Sequence, residues 1–179
     1  MRRVRYAVAM SLDGFIAGPK GEADWILMDP EIDFSAIFSE FDTLLVGRKT
    51  FEGMKGHGGG AMFSGMKVFV LSRTLEQRAH PGVTIVSRHV KETVTALRKD
   101  SGKDIWLFGG GELFRSLLDL RLVDTVEVAV IPVLLGGGIP LLPSPAARAK
   151  LSLTGHRVYA RTGTVSLVYD VKRSRGRSR

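Results

Sequence analysis

Three short stretches of this chain join residue types that bind phosphate. Asp104–Phe114 reads DIWLFGGGELF, an apolar run (Ile105–Phe108) meeting three glycines (Gly109–Gly111), with a helix-forming segment from Glu112 and Leu113 to Leu118 following at once. A buried strand delivered through a tight turn to a helix start leaves backbone N–H groups unpaired, and the peptide dipoles add partial positive charge there. Glycine lets an anion come within hydrogen-bonding distance of such a backbone. Gly47-Arg48-Lys49-Thr50 follows a second apolar run and adds two cations and a hydroxyl at a helix mouth, which suits a pyrophosphate or a 2′-phosphate. Leu71-Ser72-Arg73 ends a third run with a hydroxyl and a guanidinium, a pair suited to a phosphate monoester. Together they point to an adenine dinucleotide phosphate.

The known phosphate fingerprints are not met. Phe114 stands where the third glycine of the dinucleotide motif belongs, and no Walker pattern occurs. The absence of cysteine excludes disulfides, thiolate metal sites and thiol catalysis, and no metal is expected.

The elements that must position these residues are legible from periodicity. Arg3–Met10 alternates as a strand, and SLDGFIAGPKGEADW then forms a long loop with Phe15 and Ile16 facing inward. Asp29-Pro30 opens a helix whose stripe is Ile32, Ile37, Phe38 and Phe41. Thr43–Val46 is a strand, and the helix after Gly47–Thr50 ends near Met54. The glycine-rich Gly53–Gly65 reads as a mobile surface loop. Strands are expected at Lys67–Ser72, Val83–Val86 and Val123–Ile131, a helix at Val90–Lys99, and a closing hairpin at Leu151–Ala160 and Thr164–Val171. Helices interleave with the early strands and only strands follow Val123. That order predicts an α/β fold, a mostly parallel sheet with helices on both faces and an antiparallel C-terminal edge. Ligands of such sheets sit beyond the carboxyl ends of the strands, where all three phosphate candidates fall.

The chain has 179 residues, 44% of them hydrophobic, which fits one domain with a substantial core. We place that domain at 1–171. The eight residues Lys172–Arg179 carry five of the charges behind the net +8 and no acid, leaving +3 on the rest. Their Arg, Ser and Gly composition predicts a disordered basic tail in weak contact with polyanions at most. The apolar part of MRRVRYAVAM is too short for a signal peptide, so a cytoplasmic protein is expected.

An ordered set of pieces is similar to a known family: Met10–Gly18 (MSLDGFIAG), Gly21–Trp25 (GEADW), Val46–Glu52 (VGRKTFE), Leu71-Ser72-Arg73, Phe108–Gly111 and Ile131–Gly138 (IPVLLGGG). The chain resembles the dihydrofolate-reductase-like superfamily, specifically stand-alone relatives of the bacterial riboflavin-biosynthesis (deaminase-reductase) reductase domain. The resemblance implies a three-layer dihydrofolate-reductase-like fold, NADPH as hydride donor, and a homodimer formed through the late strands. It puts Gly47, Arg48, Lys49 and Thr50 at the pyrophosphate and 2′-phosphate, and Leu71, Ser72 and Arg73 at the adenosine end. Gly109, Gly110, Gly111, Glu112 and Leu113 would pass beneath the pyrophosphate, and Ala9, Ile16 and Ala17 would touch the nicotinamide. Asp24, Trp25 and Phe34 would face the substrate.

Hydride delivery to a C=N bond gains from a carboxylic acid near the nitrogen. By resemblance that acid is Asp33 or Glu31, although both could be helix-starting acids that favour the dipole. Asp13, in the SLDG turn, is expected to organise its loop. Ala7 stands where the riboflavin reductases tend to carry a lysine, and no deaminase segment precedes the first strand. Pyrimidine reduction and dihydrofolate reduction therefore both stay open, as does an NADPH-binding sensor without catalysis.

Overall fold

The structure is a computed structural model that describes residues 1–56 and 63–172. Residues 57–62 of the expected mobile loop and the expected tail after Lys172, residues 173–179, lie outside the described residues; the rest of that stretch is not all loop, since Gly53–Gly56 belong to a helix and Phe63 is buried in the core. Among the described residues, ten strands and four α-helices follow in chain order. They are β1 (Val4–Ser11), β2 (Phe15–Ala17), α1 (Phe34–Ser39), β3 (Phe41–Gly47), α2 (Arg48–Gly56), β4 (Lys67–Leu71) and β5 (Thr84–Val86). Then come α3 (Val90–Lys99), β6 (Asp104–Gly109), α4 (Gly111–Asp119), β7 (Thr125–Ile131), β8 (Ile139–Pro140), β9 (Lys150–Tyr159) and β10 (Thr164–Lys172).

Eight strands form one sheet in the order β5-β4-β3-β6-β1-β7-β10-β9, and β2 pairs with β8 apart from it. Every pairing from β5 to β7 is parallel, while β10 joins β7 and β9 antiparallel. The expected parallel sheet with an antiparallel C-terminal edge is the one observed.

Each face has its own core. On one, Val4, Tyr6, Leu45, Ile105 and Leu107 pack with Val94 and Leu97 of α3 and with Leu113, Phe114 and Leu117 of α4. The helical spacing of Val90, Val94 and Leu97 is what turns α3 onto the sheet. On the other, Leu44, Phe41 and Trp106 gather Ile37 and Phe38 of α1, and Val46 and Val70 gather Phe51 of α2. Burial of these apolar side chains is the main stabilising term.

At the amino ends of the parallel strands, buried charges are paired. Arg2 reaches the Thr43 hydroxyl at 2.7 Å and the Asp42 carboxylate, while Arg98 meets Asp124 at 2.8 Å. These pairs tie α3 and three strands together at the end away from the glycine turns.

Three expectations about the elements also change. The helix after Asp29-Pro30 begins only at Phe34, because Asp29 accepts the Glu31 amide in a local turn and Asp33 caps the helix. Phe41 is not in that helix: it opens β3 and is buried against Trp106. The loop after β1 contains β2, whose strand partner β8 is only two residues long. No helix among the described residues is long and apolar enough to cross a membrane.

Candidate active site

The three phosphate candidates lie side by side. Strands β4, β3 and β6 are neighbours and parallel, so their carboxyl ends open on one edge of the sheet. Gly47 pairs with Leu71 across β3 and β4, and Val46 pairs with Gly109 across β3 and β6. A Cβ on Gly47 would stand 3.5 Å from the Gly109 carbonyl oxygen, and one on Gly110 would stand 3.4 Å from the Thr50 hydroxyl. The structure thus gathers Gly47, Thr50, Leu71, Gly109 and Gly110 at one place.

The glycines of the turn do different work. Gly109 has φ +126°, a conformation that side-chain-bearing residues rarely adopt. Gly110 is the N-cap of α4 and supplies no side chain to its first turn, which leaves room for an anion to meet the amides that open the helix. Gly111 answers to packing instead: its Cβ would fall 2.5 Å from the Pro140 carbonyl oxygen and 3.0 Å from the Pro143 ring. Leu113 is buried in the core below, and the Glu112 carboxylate turns to Arg115 at 2.7 Å.

The cationic candidates line the same edge. Arg48, Lys49 and Thr50 form the first turn of α2, Lys49 is exposed, and Arg48 pairs with Glu52 at 2.9 Å. Ser72 is buried, and its hydroxyl accepts the amides of Leu75 at 3.0 Å and Thr74 at 3.2 Å. That shapes the turn on which the exposed Arg73 sits.

Glu31 and Asp33 stand just before α1. Asp33 is exposed and its carboxylate accepts the Ala36 amide at 2.9 Å, which makes it the N-cap of α1. Glu31 is exposed and accepts from Arg157 of β9 at 3.2 Å. Phe34 opens α1, 6.0 Å from Phe38 between ring centres. Asp24 is exposed, and the Trp25 indole donates to the Glu22 carbonyl of its own loop at 3.2 Å. Asp13 organises its turn, as its SLDG setting suggests, and also reaches beyond it. It accepts from the Ser11 hydroxyl at 2.6 Å and from the amides of Gly136 at 2.7 Å and Leu135 at 3.1 Å. The Ser11 hydroxyl chiefly, helped by those amides, holds its carboxyl below the usual carboxylate range. Ala9 is half-buried on β1, while Ile16 and Ala17 form β2 beside it.

Two residues have roles here that the sequence did not show. Asp29 is almost wholly buried, accepts the Glu31 amide at 2.9 Å and the Thr162 hydroxyl at 2.8 Å, and so pins the start of this segment to the β9–β10 turn. The backbone bond from Glu31 is the main reason that its carboxyl lies below the usual range. The other is Arg157, whose partner lies 126 positions away. Among the described residues no His, Asp and Glu cluster could hold a metal ion. An apolar hollow of about 250 Å³ between α2 and β4, lined by Phe51, Met54, Phe63 and Val68 among others, has no charged group among its described residues.

Comparison with known proteins agrees with this architecture. The family model for the RibD C-terminal domain matches residues 2–165. The chain belongs to the RibD C-terminal domain family. It is 35% identical to the uncharacterized protein YyaP of Bacillus subtilis (strain 168), with 94% of each chain covered. It is 34% identical to dihydrofolate reductase type 1 of Escherichia coli over 76% of this chain and 81% of that one. Among solved structures, a putative riboflavin biosynthesis protein from Shewanella sp. PV-4 superposes with a TM-score of 0.81 at 26% identity, covering 97% of this chain and all of that one. Dihydrofolate reductase from Enterococcus faecalis, solved with NADP(H), superposes at 0.70 and 20% identity, covering 96% and 97%. The fold of this RibD C-terminal domain is thus the dihydrofolate-reductase-like one.

Proposed function

We propose that this chain is an NADPH-dependent reductase that transfers hydride to a small nitrogen heterocycle, of the riboflavin-pathway pyrimidine reductase type. The observation that carries the reading is the meeting of three parallel strand ends, at Gly47, Leu71 and Gly109, beside the starts of α2 and α4. The residues there suit a dinucleotide phosphate. A Cβ at Gly110 would fill the space before Thr50, α4 begins without a side-chain cap, and Arg48, Lys49 and Arg73 supply charge. Family membership and the NADP(H) bound by the Enterococcus enzyme of the same fold support the cofactor.

In this reading Gly47, Thr50, Gly109 and Gly110 hold the pyrophosphate. Arg48, Lys49 and Arg73 select the extra phosphate, with Leu71 and Ser72 at the adenosine end, and Ala9, Ile16 and Ala17 contact the nicotinamide. NADPH, when bound, supplies the hydride. The heterocycle lies between α1 and the sheet face that carries Ala9, against Phe34, with Asp24 and Trp25 at its mouth. Asp33 gives the proton to the nitrogen next to the reduced carbon.

The 34% identity to a dihydrofolate reductase favours a second reading, reduction of dihydrofolate at the same site. We also infer a homodimer through the late strands. Leu151, Leu153 and Val158 of the edge strand β9 are 42%, 52% and 62% exposed and share the sheet face of Tyr6 and Met10.

The test is a fluorescence titration of Arg48→Ala and Arg73→Ala with NADPH and NADH. NADPH binding is expected to weaken by about tenfold, the scale of one charge-assisted hydrogen bond, with NADH little changed. Equal losses for both cofactors defeat the assignment. Oxidation of NADPH with 5-amino-6-(5-phosphoribosylamino)uracil or with dihydrofolate separates the two substrates. Binding without oxidation of either points to a sensor.

A further inference from the structure

One line of paired residues crosses the C-terminal half of the sheet: Ala9 on β1, Ala129 on β7, Ser166 on β10 and Arg157 on β9. Residues paired in a ladder point to the same face. This face is the one that carries α1, since Ala7, two positions before Ala9, packs with Ile37 and Phe38 on the cluster around Trp106. Three small, half-buried side chains thus lead from the proposed nicotinamide position to a guanidinium. Strands lie about 4.8 Å apart, so the three steps span roughly 14 Å.

Both members of the ion pair at the far end are held in position. Glu31 has its backbone amide fixed by the buried Asp29, which is itself bonded to Thr162. The Arg157 guanidinium lies 4.6 Å above the centre of the Tyr159 ring and 3.2 Å from the Glu31 carboxylate. Yet the pair is open, with side chains 57% and 58% exposed, and such exposed pairs contribute only about 0.2–1 kcal/mol. A guanidinium carries five N–H donors matched to two-point binding of phosphate or carboxylate. Exchanging Glu31 for a ligand anion that binds at two points therefore costs little and gains a stronger contact.

We propose that Arg157 binds the anionic substituent, phosphate or carboxylate, of the heterocycle reduced at this site, and that Glu31 holds the guanidinium until that anion takes it over. The proposal rests on the reductase reading for the position of the heterocycle. It places the anion some three strands from the hydride-accepting atom and makes Arg157 a specificity-determining residue on the edge strand.

Calorimetry on the full chain tests it, with and without oxidised NADP so that nothing turns over. One arm compares 5-amino-6-(5-phosphoribosylamino)uracil with its dephosphorylated form, and the other compares dihydrofolate with dihydrobiopterin, which lacks the carboxylates. The unaltered protein should prefer the anionic member of one arm by about tenfold or more, the scale of one charge-assisted contact. Arg157→Ala should erase that preference, Arg157→Lys should keep part of it, and Glu31→Gln should leave it in place. Unchanged NADPH affinity in Arg157→Ala shows that the fold is intact. A preference that survives Arg157→Ala, or no preference in either arm, overturns the proposal. A preference that depends on Arg157 without any NADPH oxidation supports the anion site and defeats the reductase reading instead.

Discussion

The Thr50 hydroxyl oxygen lies 3.4 Å from the point that a Cβ on Gly110 would occupy. The first turn of α2 and the turn that starts α4 therefore close on the same small volume, although 60 positions separate them. Adjacent parallel strands β3 and β6 make this meeting possible, since each hands its chain to a helix at the same edge of the sheet.

Gly110→Ala should fill that volume, because Gly110 has φ −79° and ψ −167°, values open to any residue. The expected result is NADPH binding weakened about tenfold, or ~1.4 kcal/mol, with an unchanged melting temperature. Gly111→Ala is the contrast. Its Cβ would meet the Pro140 carbonyl at 2.5 Å, so the chain should lose about 1–3 kcal/mol of stability in a denaturant melt.

Asp33 has two separable roles, as cap and as proton donor. Asp33→Ala removes the bond to the Ala36 amide and should cost about 1 kcal/mol of stability. Asn retains the capping oxygen, so Asp33→Asn should keep the melting temperature while NADPH oxidation falls. Full turnover by the Asn variant would move the proton donor elsewhere.

Asp13 makes a pH prediction. Its folded-state carboxyl is held low, chiefly by the Ser11 hydroxyl and further by the Gly136 and Leu135 amides. Its stabilising contribution is thus complete above the unfolded value of about 3.9 and disappears as pH falls through the lower folded value. Asp13→Asn should be less stable than the parent at pH 7 and lose less on acidification. Parallel stability curves for the two proteins below pH ~4 would rule this out.

The Tyr6 hydroxyl is buried with no partner among the described residues, and burial raises its pKa. Its ring stacks on Phe114 at 4.0 Å between centres, a contact phenylalanine would keep. Tyr6→Phe should leave stability unchanged or raise it by up to about 1–2 kcal/mol. A clear loss in chemical denaturation would mean that the hydroxyl is bonded.

Much of this molecule could be read before it was seen. The continuous apolar run in Lys67–Leu71 reflects a strand covered on both faces, the spacing of Val90, Val94 and Leu97 reflects contact with one face, and both elements lie where the sequence puts them. The glycine turn and the basic strand ends were legible because they sit at fixed places in a parallel sheet. What escaped depends on distant chain. Phe41 continues a helical stripe on paper, but Trp106 draws it into β3. Gly111 reads like its neighbours until Pro140 and Pro143 arrive beside it. Strands β2 and β8 are three and two residues long, too short to show any alternation. Arg157 on an exposed strand carries no local sign of Glu31, and Asp29 looks like a turn residue rather than a buried clamp.

Strand β9 ends the sheet, ten residues long, with an outer row of amides and carbonyls that no other strand among the described residues takes up. Lys150 at its start is a charge of the kind that discourages stray pairing, but the leucines beyond it invite company. Were two copies to seal this border against each other, quaternary structure would double as protection, keeping a sticky margin out of reach of unrelated chains. Dilution would then be a hazard in itself, because each separated subunit would present an open template for fibrous growth.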